Sequence, residues 1–140
     1  MNLPSIDKKV KKLVKNYETR NPYKIANSLG IIVIEEDLGE IMGFYNKLKK
    51  IKMIHINSSL SEREKIVTCS HELGHSLLHP DENTPMLSKD TIVSELKIEK
   101  EANYFATILA IDGSHKDYGL SCKYEILQYY GLPDSFERFI

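Results

Sequence analysis

Apolar positions near the start of the chain recur with helical spacing. Ile6, Val10, Leu13, Val14 and Tyr17 form one stripe, and Lys8, Lys9, Lys11, Lys12 and Lys15 cover the rest as a solvated face. Asn21-Pro22 then reads as an N-cap followed by proline at the first helical position, opening a short helix that Gly30 closes. At residues 31–35 the pattern changes to a β-branched run, which predicts a strand. Gly43-Phe44-Tyr45 and residues 51–57 predict two more, joined by a turn whose lysines (Lys47, Lys49, Lys50, Lys52) discourage edge-to-edge pairing. Ser61-Glu62-Arg63-Glu64 has the form of a capping box. Ile66, Val67, Cys69, Leu73, Leu77 and Leu78 follow it, a helix apolar around much of its surface, and Pro80 stops it. Residues 80–93 are polar, contain Pro80 and Pro85, and read as a loop. A further helix is expected over about 94–110, with Ile98, Ala102, Phe105 and Leu109 on its apolar face. The tail carries one helix around 121–130, ended by Gly131, and a last turn after Pro133-Asp134.

Composition narrows the class without naming a function. The chain has 140 residues, 41% apolar and 28% charged, which suits one globular domain with a real core. A net charge of −1 argues against general affinity for nucleic acid. No run of 18 apolar residues exists to span a membrane, and the N-terminus lacks the apolar region of a secretory signal. Cys69 and Cys122 make no pattern, so a reduced, cytoplasmic protein is expected. Tyr118, Tyr124, Tyr129 and Tyr130 enrich the tail and are read as core packing.

The chemistry sits inside the third predicted helix, at His71-Glu72-Leu73-Gly74-His75. Imidazoles four residues apart lie on one helical face, about 5–6 Å apart at Cβ, so both can reach one Zn²⁺ at about 2.0–2.1 Å. The intervening Glu72 is then placed to remove a proton from water rather than to bind the metal. The motif predicts a zinc-dependent hydrolase of the zincin type. Metals such as Mn²⁺ or Fe²⁺ accept the same donors.

A catalytic zinc usually has three protein ligands and one open position. A metzincin would need glycine and histidine where Leu78 and Asp81 stand, so that class fails. A glutamate from a second helix is the remaining common solution, and Glu99 and Glu101 are the candidates. Glu99 is favoured, because Ala102 and Ala106 beside it are small enough to let the helix approach. Asn103, one turn on, could accept the free ring N–H of a ligating histidine.

These pieces resemble the ImmA/IrrE family of metallo-endopeptidases. The matching residues are Asn57 and Leu60 ahead of the helix, His71-Glu72-Leu73-Gly74-His75 with Leu78-His79, and Glu99-x-Glu101-Ala102-Asn103-x-Phe105-Ala106. The resemblance covers about residues 20–110. It implies metal ligands at His71, His75 and Glu99, with Glu72 as catalytic base. It implies a zincin-like α+β fold, with a small, mostly antiparallel sheet packed against helices. The whole of 1–140 then forms a single metallopeptidase domain with a helical tail from about 116. It also implies a substrate: members relieve repression in phages and mobile elements by cutting a helix-turn-helix repressor. Two departures stand out. The family usually follows Phe-Ala with a Leu-Leu-Met-Pro type ending, where this chain has Ile108-Leu109-Ala110-Ile111-Asp112. The chain also ends without the sensory domain of radiation-response members, which favours the anti-repressor type.

The expectation is therefore a cytoplasmic zinc endopeptidase acting on a protein substrate, a transcriptional repressor, with no direct contact to nucleic acid or membrane. The rival is a metal-stabilised module that sequesters its partner without cutting. Retention of Glu72 favours the enzyme, because a structural site has no use for a base. His55 and Tyr104 are candidates for stabilising the oxyanion. If the His55 strand is a sheet edge, an extended substrate could pair with it. His79 is expected to support the site rather than ligate, and His115 has no evident partner.

Overall fold

The sheet beside the helix that bears His71 and His75 is short and mixed. In the computed structural model, which describes residues 3–140, its strands are β1 (Ile32–Glu36), β2 (Gly43–Leu48) and β3 (Ile51–Asn57), in the order β1-β3-β2. β2 runs antiparallel to β3 through the lysine turn, whereas β1 pairs with β3 in parallel. The parallel pairing arises because residues 37–42 carry the chain past β3 to β2, which returns it through the lysine turn to the start of β3. Alternation along the strands sends Tyr45, Ile54 and Ile56 into the core and leaves Phe44 and His55 on the opposite face. β3 is the central strand, so the idea of a substrate pairing along the His55 strand is corrected: both its edges are already occupied.

The helices pack on the inner face. α1 (Leu3–Tyr17) buries Ile6, Val10 and Leu13, as its stripe predicted. In α2 (Pro22–Ser28) the Asn21 side chain accepts from the Tyr23 and Lys24 backbone N–H groups, and Gly30 takes a positive φ just beyond the end. α3 (Glu62–Leu78) begins with a complete capping box: Ser61 Oγ accepts from Glu64 N–H, and the Glu64 carboxylate accepts from Ser61 N–H. Ser61→Ala removes one half of this box and is expected to cost about 0.5–2 kcal/mol of stability, read as a lower urea midpoint with an unchanged slope.

α3 lies between two apolar clusters, which is why it lacks a polar stripe. Cys69 and Leu73 face Ile25, Ile54, Ile56, Phe105 and Leu109, while Val67 faces Met42, Leu87, Ile92, Leu127, Leu132 and Phe136. The second cluster absorbs the chain beyond residue 116, where α5 (Lys123–Tyr130) and a 3-10 turn (Asp134–Phe139) bury Leu127 and Phe136 completely. Arg63 on α3 donates to Gln128 O at 2.7 Å and ties the two together. The aromatic tail is less buried than expected, since Tyr118 and Tyr124 are exposed.

α4 (Lys97–Ala110) starts three residues later than the periodicity suggests, because a 3-10 turn (Thr91–Val93) and an extended Ser94 precede it. Its far end is clamped: one nitrogen of the Arg20 guanidinium donates to the carbonyls of Ile108, Leu109 and Ile111 at 3.0, 2.9 and 3.2 Å. A cation at the last, unpaired carbonyls of a helix is favourable for both hydrogen bonding and the helix dipole. The lysine turn is also structural, with Lys47 paired to Asp81 and Lys52 donating to Ser76 O at 2.6 Å. The segment after α3 is no free loop. Leu87 forms a β-bridge with Gly43 at the start of β2, and Tyr45 donates its hydroxyl to Pro80 O.

Candidate metal centre

Helical spacing puts His71 and His75 on one face of α3, their ring centroids 4.7 Å apart and nearly perpendicular. α4 meets that face at a glycine. A Cβ on Gly74 would stand 3.1–3.2 Å from atoms of the Phe105 side chain, so the absence of a side chain there sets how closely the two helices approach. The approach delivers Glu99. One of its oxygens lies 3.2 Å from His71 Nε2, and both lie 3.1 Å from His75 Nε2. Two donors at about 2.0–2.1 Å from one tetrahedral ion are themselves roughly 3.3 Å apart, so these separations suit a shared metal.

Glu72 occupies a different place. The ligating atoms of His71, Glu72 and His75 lie within 4.8 Å of one another. Yet neither Glu72 oxygen has a hydrogen-bond partner among the described residues, and the residue is wholly buried. By distance alone either carboxylate could accompany the histidines. Contact separates them, because Glu99 touches both imidazoles and Glu72 stands apart with its oxygens unengaged.

Proton positions provide a test of whether a metal fits. Asn103 Nδ2 donates to Ile92 O at 2.8 Å, which turns its carbonyl oxygen toward His71. That oxygen can only accept, so His71 Nδ1, at 2.7 Å, carries the proton. In the neutral ring Nε2 is then a bare lone pair, and it has no hydrogen-bond partner although Glu99 is beside it. A lone pair facing a carboxylate inside a protein is stabilised by a cation between them, a place that a proton or a metal ion can fill. Two imidazole nitrogens and a carboxylate suit Zn²⁺, and also Mn²⁺ or Fe²⁺.

The electrostatics drive the two carboxyls apart. Burial pushes the Glu72 carboxyl up to about 7, with Glu99 adding to the rise and His71 opposing it. Burial acts on Glu99 in the same direction, but the adjacent His71 and His75 rings outweigh it and leave Glu99 at about 2. One group stays ionised as a fixed anion, and the other changes its protonation near neutral pH, the division of labour that general acid–base chemistry requires.

The remaining candidates fall elsewhere. Asn103 holds His71 as the helical wheel suggested. Glu101, weighed as a ligand, instead accepts from His79 Nε2 at 3.0 Å. His55 lies on the outer sheet face, stacked on Phe44 at 4.2 Å and hydrogen-bonded to Glu36 and Asn46. Tyr104 donates to Asp7 at 2.7 Å, and burial together with that carboxylate raises its pKa to about 12. Both side chains are engaged with partners outside the His71–His75–Glu99 cluster, and both are withdrawn as oxyanion stabilisers. His115 does have a partner, the Tyr130 hydroxyl at 2.7 Å. Sequence reasoning missed the His79–Glu101 pair, for which the only signal was His79 one turn beyond His75.

Comparison with known proteins places the chain in a family. The family model described as the IrrE N-terminal-like domain, a peptidase family, matches residues 26–115. "Uncharacterized immunity region protein 2" of Bacillus phage phi105 is 48% identical over 103 residues, 73% of this chain and 65% of the phage protein. "Metallopeptidase ImmA" of Bacillus subtilis (strain 168) is 30% identical over 135 residues, 91% of this chain and 79% of that protein. These likenesses support a metallopeptidase role and a metal cofactor, and among the described residues no helix is long and apolar enough to cross a membrane. With the family match spanning both histidines, both glutamates and the helices that carry them, the chain belongs to the IrrE N-terminal-like family of peptidases.

Proposed function

We propose that this chain is a zinc-dependent endopeptidase that cleaves a helix-turn-helix transcriptional repressor in the cytoplasm and so relieves repression of a phage or mobile element. His71, His75 and Glu99 hold the metal, and Glu72 moves the protons. The observation that carries the reading is Glu72, a buried carboxyl with both oxygens unengaged beside two histidines and a second, ionised carboxylate. When bound, the metal supplies Lewis acidity toward the scissile carbonyl and toward water. Glu72 takes the proton of the attacking water and returns it to the leaving amine, a cycle suited to a carboxyl raised to about 7. Asn103 holds the His71 ring in place, and Glu99 stays charged throughout. The repressor substrate is supported by the phage relative, whose name places it in an immunity region. Single free cysteines, one buried and one exposed, suit a reducing compartment.

One observation favours the rival reading of a binding module that sequesters without cutting. His71, Glu72, His75 and Glu99 are each no more than 2% exposed, as in a closed structural site. The deciding experiment mixes the protein with the repressor encoded beside its gene and follows the repressor by mass spectrometry. Discrete fragments that disappear with His75→Ala support the peptidase, while a stable complex with intact repressor supports the module. Metal binding has its own test. Glu99→Ala is expected to weaken Zn²⁺ affinity at least 100-fold in competition with a chromophoric chelator, because it removes one of three donors from a buried site.

A further inference from the structure

His75 is held from behind by two residues that the reaction above does not use. Its Nδ1 lies 3.0 Å from His79 Nδ1, and His79 Nε2 lies 3.0 Å from Glu101 Oε1. The three groups span two helices, with His79 at the C-cap of α3 and Glu101 on α4, and both rings are buried.

Hydrogen-bond bookkeeping fixes the protons along this chain when a metal occupies the front of His75. An ionised carboxylate only accepts, so His79 Nε2 carries a proton toward Glu101. In the neutral ring His79 Nδ1 is then an acceptor, and the contact at 3.0 Å is a hydrogen bond only if His75 Nδ1 donates. With its proton on Nδ1, His75 presents a lone pair on Nε2, the atom beside Glu99. The opposite arrangement, with the proton on His75 Nε2, closes that nitrogen to a metal.

We propose that Glu101 and His79 act as a positioning relay that fixes His75 in its metal-binding tautomer and locks its ring. The inference rests on the metal reading above. It makes the two ligand histidines unequal: His71 leans on a neutral amide held by a backbone carbonyl, whereas His75 leans on an imidazole backed by a charge. Partners of this kind orient a ligand ring and typically change metal affinity about 10–100-fold when removed. A histidine here does what a carboxylate or carbonyl does behind most metal-bound imidazoles, and it extends the reach of Glu101 across the helix pair.

The test is Zn²⁺ affinity by chelator competition in the full chain, together with nitrogen NMR of the zinc-loaded protein. His79→Phe and Glu101→Met are each expected to weaken Zn²⁺ binding about 10–100-fold. Glu101→Gln, which keeps an acceptor oxygen, is expected to recover most of the Glu101→Met loss. The wild-type spectrum is expected to show the proton of His75 on Nδ1 and that of His79 on Nε2. Affinities within threefold of wild type for both His79→Phe and Glu101→Met would overturn the relay, as would a proton found on His79 Nδ1. If His79→Phe fails to fold by circular dichroism, the two Glu101 variants decide alone. Wild-type binding that is unaffected by His75→Ala would overturn the metal reading itself, a different failure from loss of the relay.

Discussion

Glu72→Gln is expected to lower turnover of the repressor by about 10²–10⁴-fold, the usual contribution of a positioned general base, while Zn²⁺ affinity stays near wild type. The amide matches the carboxyl in shape and cannot take up a proton. It leaves the Glu99 contacts to His71 and His75 untouched. A parallel fall in metal affinity would mean that Glu72 ligates, and the roles of the two carboxyls would need to be exchanged. Stability supplies an independent check in metal-free protein. A carboxyl raised from an ordinary value of 4.5 to about 7 holds its proton more tightly folded than unfolded. Its favourable share is therefore complete below about pH 4.5 and is lost as pH rises through about 7. The melting temperature of Glu72→Gln relative to wild type should accordingly climb across that interval. A difference that stays flat from pH 4.5 to 8 would show that the side chain is neither buried nor unpaired as described.

The second large effect is expected at Gly74→Val. Even a single methyl at this position would stand 3.1–3.2 Å from the Phe105 side chain, itself fully buried. Alanine would gain about 1 kcal/mol of helix propensity over glycine and spend it against that contact. Valine adds two further methyls with no space for them and is expected to cost about 1–3 kcal/mol through overpacking. The functional loss should be larger than the loss of stability. Pressing α4 outward draws Glu99 away from the two imidazole nitrogens, so Zn²⁺ affinity and repressor cleavage should fall together by at least tenfold. Urea unfolding of the metal-free form and chelator titration of the same sample separate the two effects. A variant that is destabilised but keeps wild-type affinity would show that Phe105 yields and the helix stays.

The parts of this architecture that were legible in the sequence are those decided locally. The capping box at Ser61, the proline stop at Pro80 and the glycine end at Gly30 each depend on residues within one turn, and each forms as expected. The His71–His75 spacing is a property of the helix alone. The position of Glu99 beside the two imidazoles could be anticipated because Ala102 and Ala106 marked the face that approaches. What escaped was decided by distant partners. The side of the sheet that His55 faces depends on the register of three strands, and Asp7 reaches Tyr104 across 97 residues. The bridge from Leu87 to Gly43 gives a polar, proline-bearing segment a fixed course that no local pattern announces. The C-terminal stretch reads as a tail because Leu127, Leu132 and Phe136 are sparse in sequence, yet they complete the second apolar cluster.

The Arg20 clamp has a consequence for where the working unit begins. The segment that the family model matches starts at residue 26, inside α2, yet Arg20 lies before it and grips the far end of the helix that carries Glu99. Ile6, Val10 and Leu13, earlier still, join Phe105 and Leu109 in one apolar cluster. The mechanical unit therefore reaches further back than the segment that the family model matches. The matched segment holds the candidate metal-binding groups, while hydrogen bonds from the stretch ahead of it hold the helix that carries Glu99 in place.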